Sequence, residues 1–139
     1  MIIAIRISGM VKKPKKIQNA LTRLRLRRKY SAILLKPTNE NTKLLKILRN
    51  HIAYGDINQE TLKKLIEKRA KPLNKDSKIN PDEIIKNLEK KQLKNLEIKP
   101  FFRLHPPRGG IESKKHFGVG KGVLGDHKSK INDLVRRML

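Results

Sequence analysis

The sequence predicts an α+β fold: a small β-α-β-α-β core, with helices packed on one face of a three-stranded sheet, followed by a mainly helical C-terminal extension. Two observations carry the prediction. Short strand-like runs near residues 2–7 (rich in β-branched residues), 30–35 and 51–54 alternate with segments whose apolar residues recur at helical spacing. Helix start signals then recur downstream, each a cap residue or a proline ahead of an apolar stripe. The core is expected over residues 1–57 and a helical extension over 58–98. A loop segment with a final helix takes 99–139, the whole forming one compact unit.

Ile2 to Ile7 reads as a first strand, broken by Ser8-Gly9. Pro14 suits a first helical turn, and Ile17, Ala20, Leu21 and Leu24 follow at i, i+3, i+4 and i+7 as a buried face. Leu26 points away from that stripe, so the helix ends near Arg25 to Arg27 or Leu26 meets a partner. Tyr30 to Leu35 is a second strand stopped by Pro37. Thr38 or Asn39 then caps a helix carrying Leu44, Leu45, Ile47 and Leu48. His51 to Tyr54 is a short third strand ending at Gly55. Asn58 caps a helix with Leu62, Leu65 and Ile66 on one side, and Lys71 to Lys78 is a polar connector. Asn80-Pro81-Asp82-Glu83 combines a cap, a first-turn proline and acids at the positive helix end, and Ile84, Ile85 and Leu88 continue that helix. From Lys99 the chain turns proline- and glycine-rich, up to a last helix bearing Ile131, Leu134, Val135 and Met138.

Charge narrows the function. Lys and Arg number 35 against 12 acids, a net of +23. Such self-repulsion opposes compaction, so a polyanionic partner is the simplest reason to keep it: RNA, DNA or an anionic membrane surface. The charge is uneven. Residues 1–54 hold 14 basic residues and one acid, residues 55–99 hold 12 and 8, and residues 100–139 hold 9 and 3. The two ends are therefore the candidate binding regions, and the middle reads as an ordinary solvated surface. The sharpest cluster is Lys12, Lys13, Lys15, Lys16, Arg23, Arg25, Arg27, Arg28 and Lys29, with no acid interrupting it. Aromatics are only 4% and Trp is absent, so contacts are expected mainly to phosphates and folded nucleic-acid shape rather than to stacked bases.

Other classes fall away. With no Cys, disulfides and thiolate metal sites are excluded. No run of about 18 apolar residues exists to span a membrane. Met1 to Ile7 is too short an apolar run for a secretory signal, so a cytoplasmic location is expected. Gly118-Val119-Gly120-Lys121-Gly122 fails as a phosphate loop, because Lys121 is followed by glycine and no well-placed strand is expected before it. His51, His105, His116 and His127 form no close i, i+4 pair, so no metal site is expected. No catalytic constellation stands out, and neither a cofactor nor a small-molecule substrate is expected.

The most specific segment is Arg103 to Gly110. Paired prolines fix an extended backbone, and two glycines allow close main-chain approach to another surface. Arg103 and Arg108 flank the turn with guanidinium forks suited to phosphate oxygens. The plainer alternative is a rigid surface loop with incidental arginines. The candidate nucleic-acid contacts are the Lys12 to Lys29 cluster, then Arg103, His105, Pro106, Pro107, Arg108, Gly109 and Gly110, and beyond them Lys114, Lys115 and His116.

Several of these segments, in this order, resemble the large-subunit ribosomal protein family called L-thirty, in its extended archaeal and eukaryotic form. They are Ile5-Arg6-Ile7-Ser8-Gly9, Leu24-Arg25-Leu26, Ala53-Tyr54-Gly55 and Gln59-Glu60-Thr61-Leu62. Lys68-Arg69-Ala70-Lys71-Pro72-Leu73 follows, then the specific Phe102-Arg103-Leu104-His105-Pro106-Pro107-Arg108-Gly109-Gly110, then Lys115-His116 and Leu124-Gly125. The resemblance covers nearly the whole chain. The long basic N-terminal arm of eukaryotic members is missing, which points to the archaeal form. The connector at Lys71 to Lys78 and the loop at Gly118 to Gly122 depart from the usual pattern.

The resemblance implies a ferredoxin-like core and a non-enzymatic role. It implies binding to large-subunit ribosomal RNA near the 5S RNA, beside neighbouring ribosomal proteins and away from membranes. The expected function is a structural constituent of the large subunit. Three rivals stand beside it: a non-ribosomal basic nucleic-acid binder, a small RNA-processing nuclease and a membrane-surface protein.

Overall fold

The computed structural model describes residues 1–9, 13–74, 78, 80–88 and 98–139. The chain runs β1 (Ile2–Arg6), α1 (Lys15–Arg23), β2 (Ser31–Leu35), α2 (Asn39–Ile47), β3 (Ile52–Asp56), α3 (Gln59–Arg69) and α4 (Pro81–Leu88). It continues with β4 (Phe102–Arg103), β5 (Glu112–His116), β6 (Gly122–Asp126), a 3-10 turn at Lys128–Lys130, and α5 (Ile131–Met138). The expected β-α-β-α-β order is thus present. Caps fall where side-chain oxygens can satisfy free N–H groups at helix starts: Thr38 Oγ1 accepts from Asn41 N (3.3 Å) and Asn58 Oδ1 from Thr61 N (2.7 Å).

The sheet has six strands, not the expected three, in the order β4-β2-β1-β3-β6-β5. β1 lies between β2 and β3, antiparallel to both, with Ile5 opposite Ala32 and Ala53. β4 adds to β2 antiparallel, with Arg103 opposite Ser31, and β6 adds to β3 in parallel, with Gly125 opposite Ala53. The three additional strands carry weak strand signals. β4 pairs over two residues, β5 reads Glu-Ser-Lys-Lys-His, and β6 contains two glycines and an aspartate. Their pairing is set by open edges whose backbone groups need partners, those of β2 for β4, β3 for β6 and β6 for β5, rather than by local propensity.

Both faces of β1 are buried, which explains its unbroken apolar run. Ile2 and Ala4 face a cluster with Leu21, Leu26, Leu45 and Leu48 from the α1 and α2 side. Ile3, Ile5 and Ile7 face a larger cluster with Leu65, Ile66, Leu88, Phe102, Val135 and Met138. The core helices α1 and α2 therefore share one face, and α3, α4 and α5 cover the other. Gly55 is where β3 meets the turn before α5. A β-carbon there would lie 2.8 Å from Ile131 Cβ and would collide with the Lys128 carbonyl.

Candidate nucleic-acid interface

Antiparallel pairing brings several loops to one end of the sheet. Ile52 lies opposite Arg6, and Ser31 opposite Arg103. The β1–α1 loop, the α1–β2 loop, the α2–β3 turn and the exit from β4 therefore all open at the Arg6 end. Lys13, Lys15, Lys16, Arg23, Arg25, Arg27, Arg28 and Lys29 belong to the first two loops and α1, and Arg103 and His105 to the last. All are exposed except the half-buried Lys13. Two regions far apart in sequence thus form one basic end. Arg49, exposed in the α2–β3 turn, joins them and was not a sequence candidate. Lys12 lies outside the described residues.

The α1–β2 loop is built rather than slack. Leu24 ends α1, the Arg25 N–H donates to the Thr22 carbonyl (3.0 Å) and the Leu26 N–H to the Leu21 carbonyl (2.9 Å). These are the two bonds of a Schellman helix end, which needs a left-handed residue between them. Arg25 supplies it, with φ 63°. The reversal drives Leu26 into the core, where it is fully buried against the α1 face. Leu26 thus meets a partner by leaving the helix. Tyr30, at φ 65°, closes the loop with its N–H on the Arg6 carbonyl (2.7 Å), and its own carbonyl accepts from Leu104 N (3.0 Å). The Lys29 ammonium stands 5.1 Å from the Tyr30 ring centre, and the Arg103 guanidinium 5.8 Å from that of Phe101.

Arg6 holds this end together from inside. It is buried, and has no carboxylate partner among the described residues. Its guanidinium donates to the carbonyls of Ser8 (3.1 Å), Leu26 (2.8 Å) and Gly9 (3.1 Å), tying the β1–α1 loop to the α1–β2 loop. Burial pulls its pKa down from the usual arginine range. His51 accepts the Ile7 and Ser8 N–H groups on its carbonyl, both at 3.1 Å. Its ring pKa is lowered by burial and then by Lys13 and Arg6. Nothing local in the sequence marked Arg6 as structural, because the carbonyl it reaches at Leu26 lies 20 residues away.

The Arg103 to Gly110 segment runs from edge strand β4 toward edge strand β5, across the C-terminal end of α5. The His105 N–H donates to the Met138 carbonyl (2.9 Å) and the Arg108 N–H to the Arg137 carbonyl (3.1 Å), using carbonyls left free at the helix end. Pro106 and Pro107, between those donors, have no N–H to satisfy. Pro107 to Gly110 is a tight turn closed by Gly110 N on the Pro107 carbonyl (3.3 Å), with Gly109 at φ 80° as a type II turn demands. Arg137 locks it, donating from Nε to the Arg108 carbonyl (2.8 Å) and from Nη2 to the Gly110 carbonyl. Pro107 is buried, whereas the side chain of Arg108 stays exposed. The proline-proline turn is therefore also the cap of the last helix, a role its sequence did not reveal.

Lys114, Lys115 and His116 do not join the basic end. They lie on β5, at the far edge of the sheet, and Lys115 is paired with Glu112 (3.4 Å). β5 also supplies the strand that the sequence did not show before Gly118, and Gly122 and Gly125 belong to β6 rather than to a loop. Among the described residues, no group of three or more His, Asp or Glu side chains is placed to hold a metal ion. Among them, too, no helix is long and apolar enough to cross a membrane.

No family model matches the chain. Individual relatives do. The large ribosomal subunit protein uL30 of Archaeoglobus fulgidus is 34% identical, over 99% of this chain and 99% of the relative. The proteins of the same name from Methanococcus maripaludis and Methanobrevibacter smithii are 33% and 32% identical, over 97% and 100% of each chain. Near-complete coverage in both directions, at this identity and from archaeal sources, shows that the chain belongs to the uL30 family of large ribosomal subunit proteins.

Proposed function

We propose that the chain is a structural constituent of the large ribosomal subunit, working in the cytoplasm with the ribosome, that binds and braces large-subunit ribosomal RNA without catalysis. The observation that carries the RNA-binding site is the convergence of the Lys13 to Lys29 cluster with Arg103 and His105 at one end of the sheet. In this reading, phosphates of a folded RNA surface meet the exposed cations, and Arg108 extends the contact along the α5 cap. Lys114, Lys115 and His116 make a second, separate contact from the β5 edge. The segments on either side of α3 and α4 carry the RNA-facing charge, and α3 and α4 brace the sheet face opposite α1 and α2. The family resemblance supports a position near the 5S RNA and beside other ribosomal proteins.

Two measurements test this. Binding of the full chain to large-subunit ribosomal RNA, followed over a range of salt, should show a steep log–log slope. Replacing Lys15, Lys16, Arg27 and Arg28 with Gln should flatten it by roughly 0.7–0.9 for each phosphate no longer neutralised. Crosslinking in purified large subunits should join the Arg6 end to ribosomal RNA. A slope unchanged by removing the four cations, or co-sedimentation with the nucleoid instead of the subunit, would overturn the proposal.

A further inference from the structure

A concavity of about 500 Å³ lies apart from the basic end, between the β5–β6 loop, the turn before α5, and the Arg108–Gly109 turn. That volume is within the roughly 300–1,000 Å³ typical of small-ligand sites. Its floor carries Phe117, an exposed large apolar side chain at 38% exposure, whereas Phe102 is fully buried. Phe117 is not loose. It stacks on His127, with ring centres 4.2 Å apart and planes 29° from parallel. His127 is in turn buried, its ring bonded to the Val123 carbonyl and its backbone N–H donating to the Tyr54 carbonyl of β3 (2.8 Å). The aromatic pair is thus anchored to the sheet with part of the Phe117 ring open to solvent.

Cations surround the ring. The Lys130 ammonium stands 5.9 Å from the Phe117 ring centre, and Arg108 and Lys121 line the same concavity. None of the three is in an ion pair among the described residues. The acid on the wall, Asp133, is paired with Arg136 at 3.7 Å. A fixed aromatic face ringed by free cations is the chemistry that recognises a nucleotide taken out of a helix: the base stacks and the phosphates meet the cations. An acidic protein segment would use the cations but would have no reason to need an immobilised aromatic face.

We infer that Phe117, backed by His127, is a stacking platform for one unpaired base of ribosomal RNA, with Arg108, Lys121 and Lys130 holding its flanking phosphates. This rests on the RNA-binding reading above but adds a base-contacting site, distinct from the phosphate contacts of the Arg6 end and the β5 edge. It adds one stacked base to contacts expected mainly to phosphates and folded nucleic-acid shape.

The test uses the full chain and large-subunit ribosomal RNA. Phe117→Ala should weaken binding roughly 5- to 150-fold, the usual range for loss of one base stack, with the salt slope unchanged because every cation remains in place. Phe117→Leu, which keeps apolar bulk without a π face, should be nearly as weak. Phe117→Trp should restore affinity, and its indole, the sole one in the chain, should lose fluorescence when RNA binds. In purified subunits, ultraviolet crosslinking should attach a nucleotide to Phe117. Wild-type affinity in Phe117→Leu, unquenched indole fluorescence of Phe117→Trp at saturation, or a crosslink from Phe117 to another protein would each overturn the inference. If the wild-type chain itself does not bind the RNA, the broader proposal fails, which is a different result from a wild-type chain that binds and a Phe117→Ala variant that binds equally well.

Discussion

Replacing Arg25 with glycine should make the protein more stable and a poorer RNA binder at once. Arg25 occupies the left-handed position of a Schellman helix end, where glycine is the usual residue. A left-handed conformation costs a residue with a β-carbon about 1–2 kcal/mol. Glycine removes that cost, while its freer unfolded chain takes back roughly 0.5–1 kcal/mol. The Arg25 side chain is exposed and makes no hydrogen bond or ion pair among the described residues, so its removal disturbs little packing. The expected net gain is about 0.5–1 kcal/mol, or about 2–4 °C in Tm for a chain of this size. Loss of one cation should lower the salt slope of RNA binding by roughly 0.7–0.9. Urea unfolding of the free protein, run beside salt-titrated RNA binding, measures both. Arg25→Ala is the control: it keeps the strained backbone and loses the charge, so it should bind like Arg25→Gly without the gain in stability. If Arg25→Gly unfolds at lower urea than the parent, the strain argument is wrong and the arginine side chain supports the fold.

Three further outcomes are expected. Arg6→Met should cost about 2–4 kcal/mol, since charge-assisted bonds to three carbonyls disappear and the Leu26 carbonyl is left buried; Arg6→Lys should recover less than half, and a midpoint within error of the parent would refute the role. Gly55→Ala should cost about 1–3 kcal/mol or more, because the new methyl meets Ile131 and the Lys128 carbonyl; hydrogen exchange at β3 would report the same weakening. Burial lowers the pKa of His127 and of His51 in the folded protein, so the unfolded chain takes up protons first as pH falls. Stability should therefore be full above the ordinary value near 6.5 and decline as pH drops below it. Urea midpoints across that window should fall less steeply in His127→Gln, and equal pH dependence in both proteins would exclude His127 as a source.

The residues that form the core were readable because burial on one stripe of a helix leaves a period in the chain, and β1, buried on both faces, leaves an unbroken apolar run. The caps at Thr38 and Asn58 and the start at Asn80-Pro81 were readable for the same local reason: each satisfies backbone groups within a few residues. β4, β5 and β6 were not, since two paired residues, a run of cations and a strand with two glycines become strands only where an existing edge offers partners. Arg6 illustrates the same limit, because its value lies in carbonyls brought from Leu26 and Gly9 by the fold. So does Phe117, one of three phenylalanines, which becomes a candidate platform only once His127 is placed beneath it.

Composition alone pointed to the kind of partner, a polyanion, and the order of residues placed the excess charge at the two ends of the chain. The order of short segments ending in Arg-Leu-His-Pro-Pro-Arg-Gly-Gly pointed to the family. Only tertiary structure decided that the Lys13 to Lys29 cluster and Arg103 share one end of the sheet while Lys114 to His116 do not. The physical reason is that side-chain identity and local period are written into neighbouring residues, whereas strand pairing over 70 positions or more, as between Ser31 and Arg103, depends on which backbone edges remain unsatisfied once the core has formed.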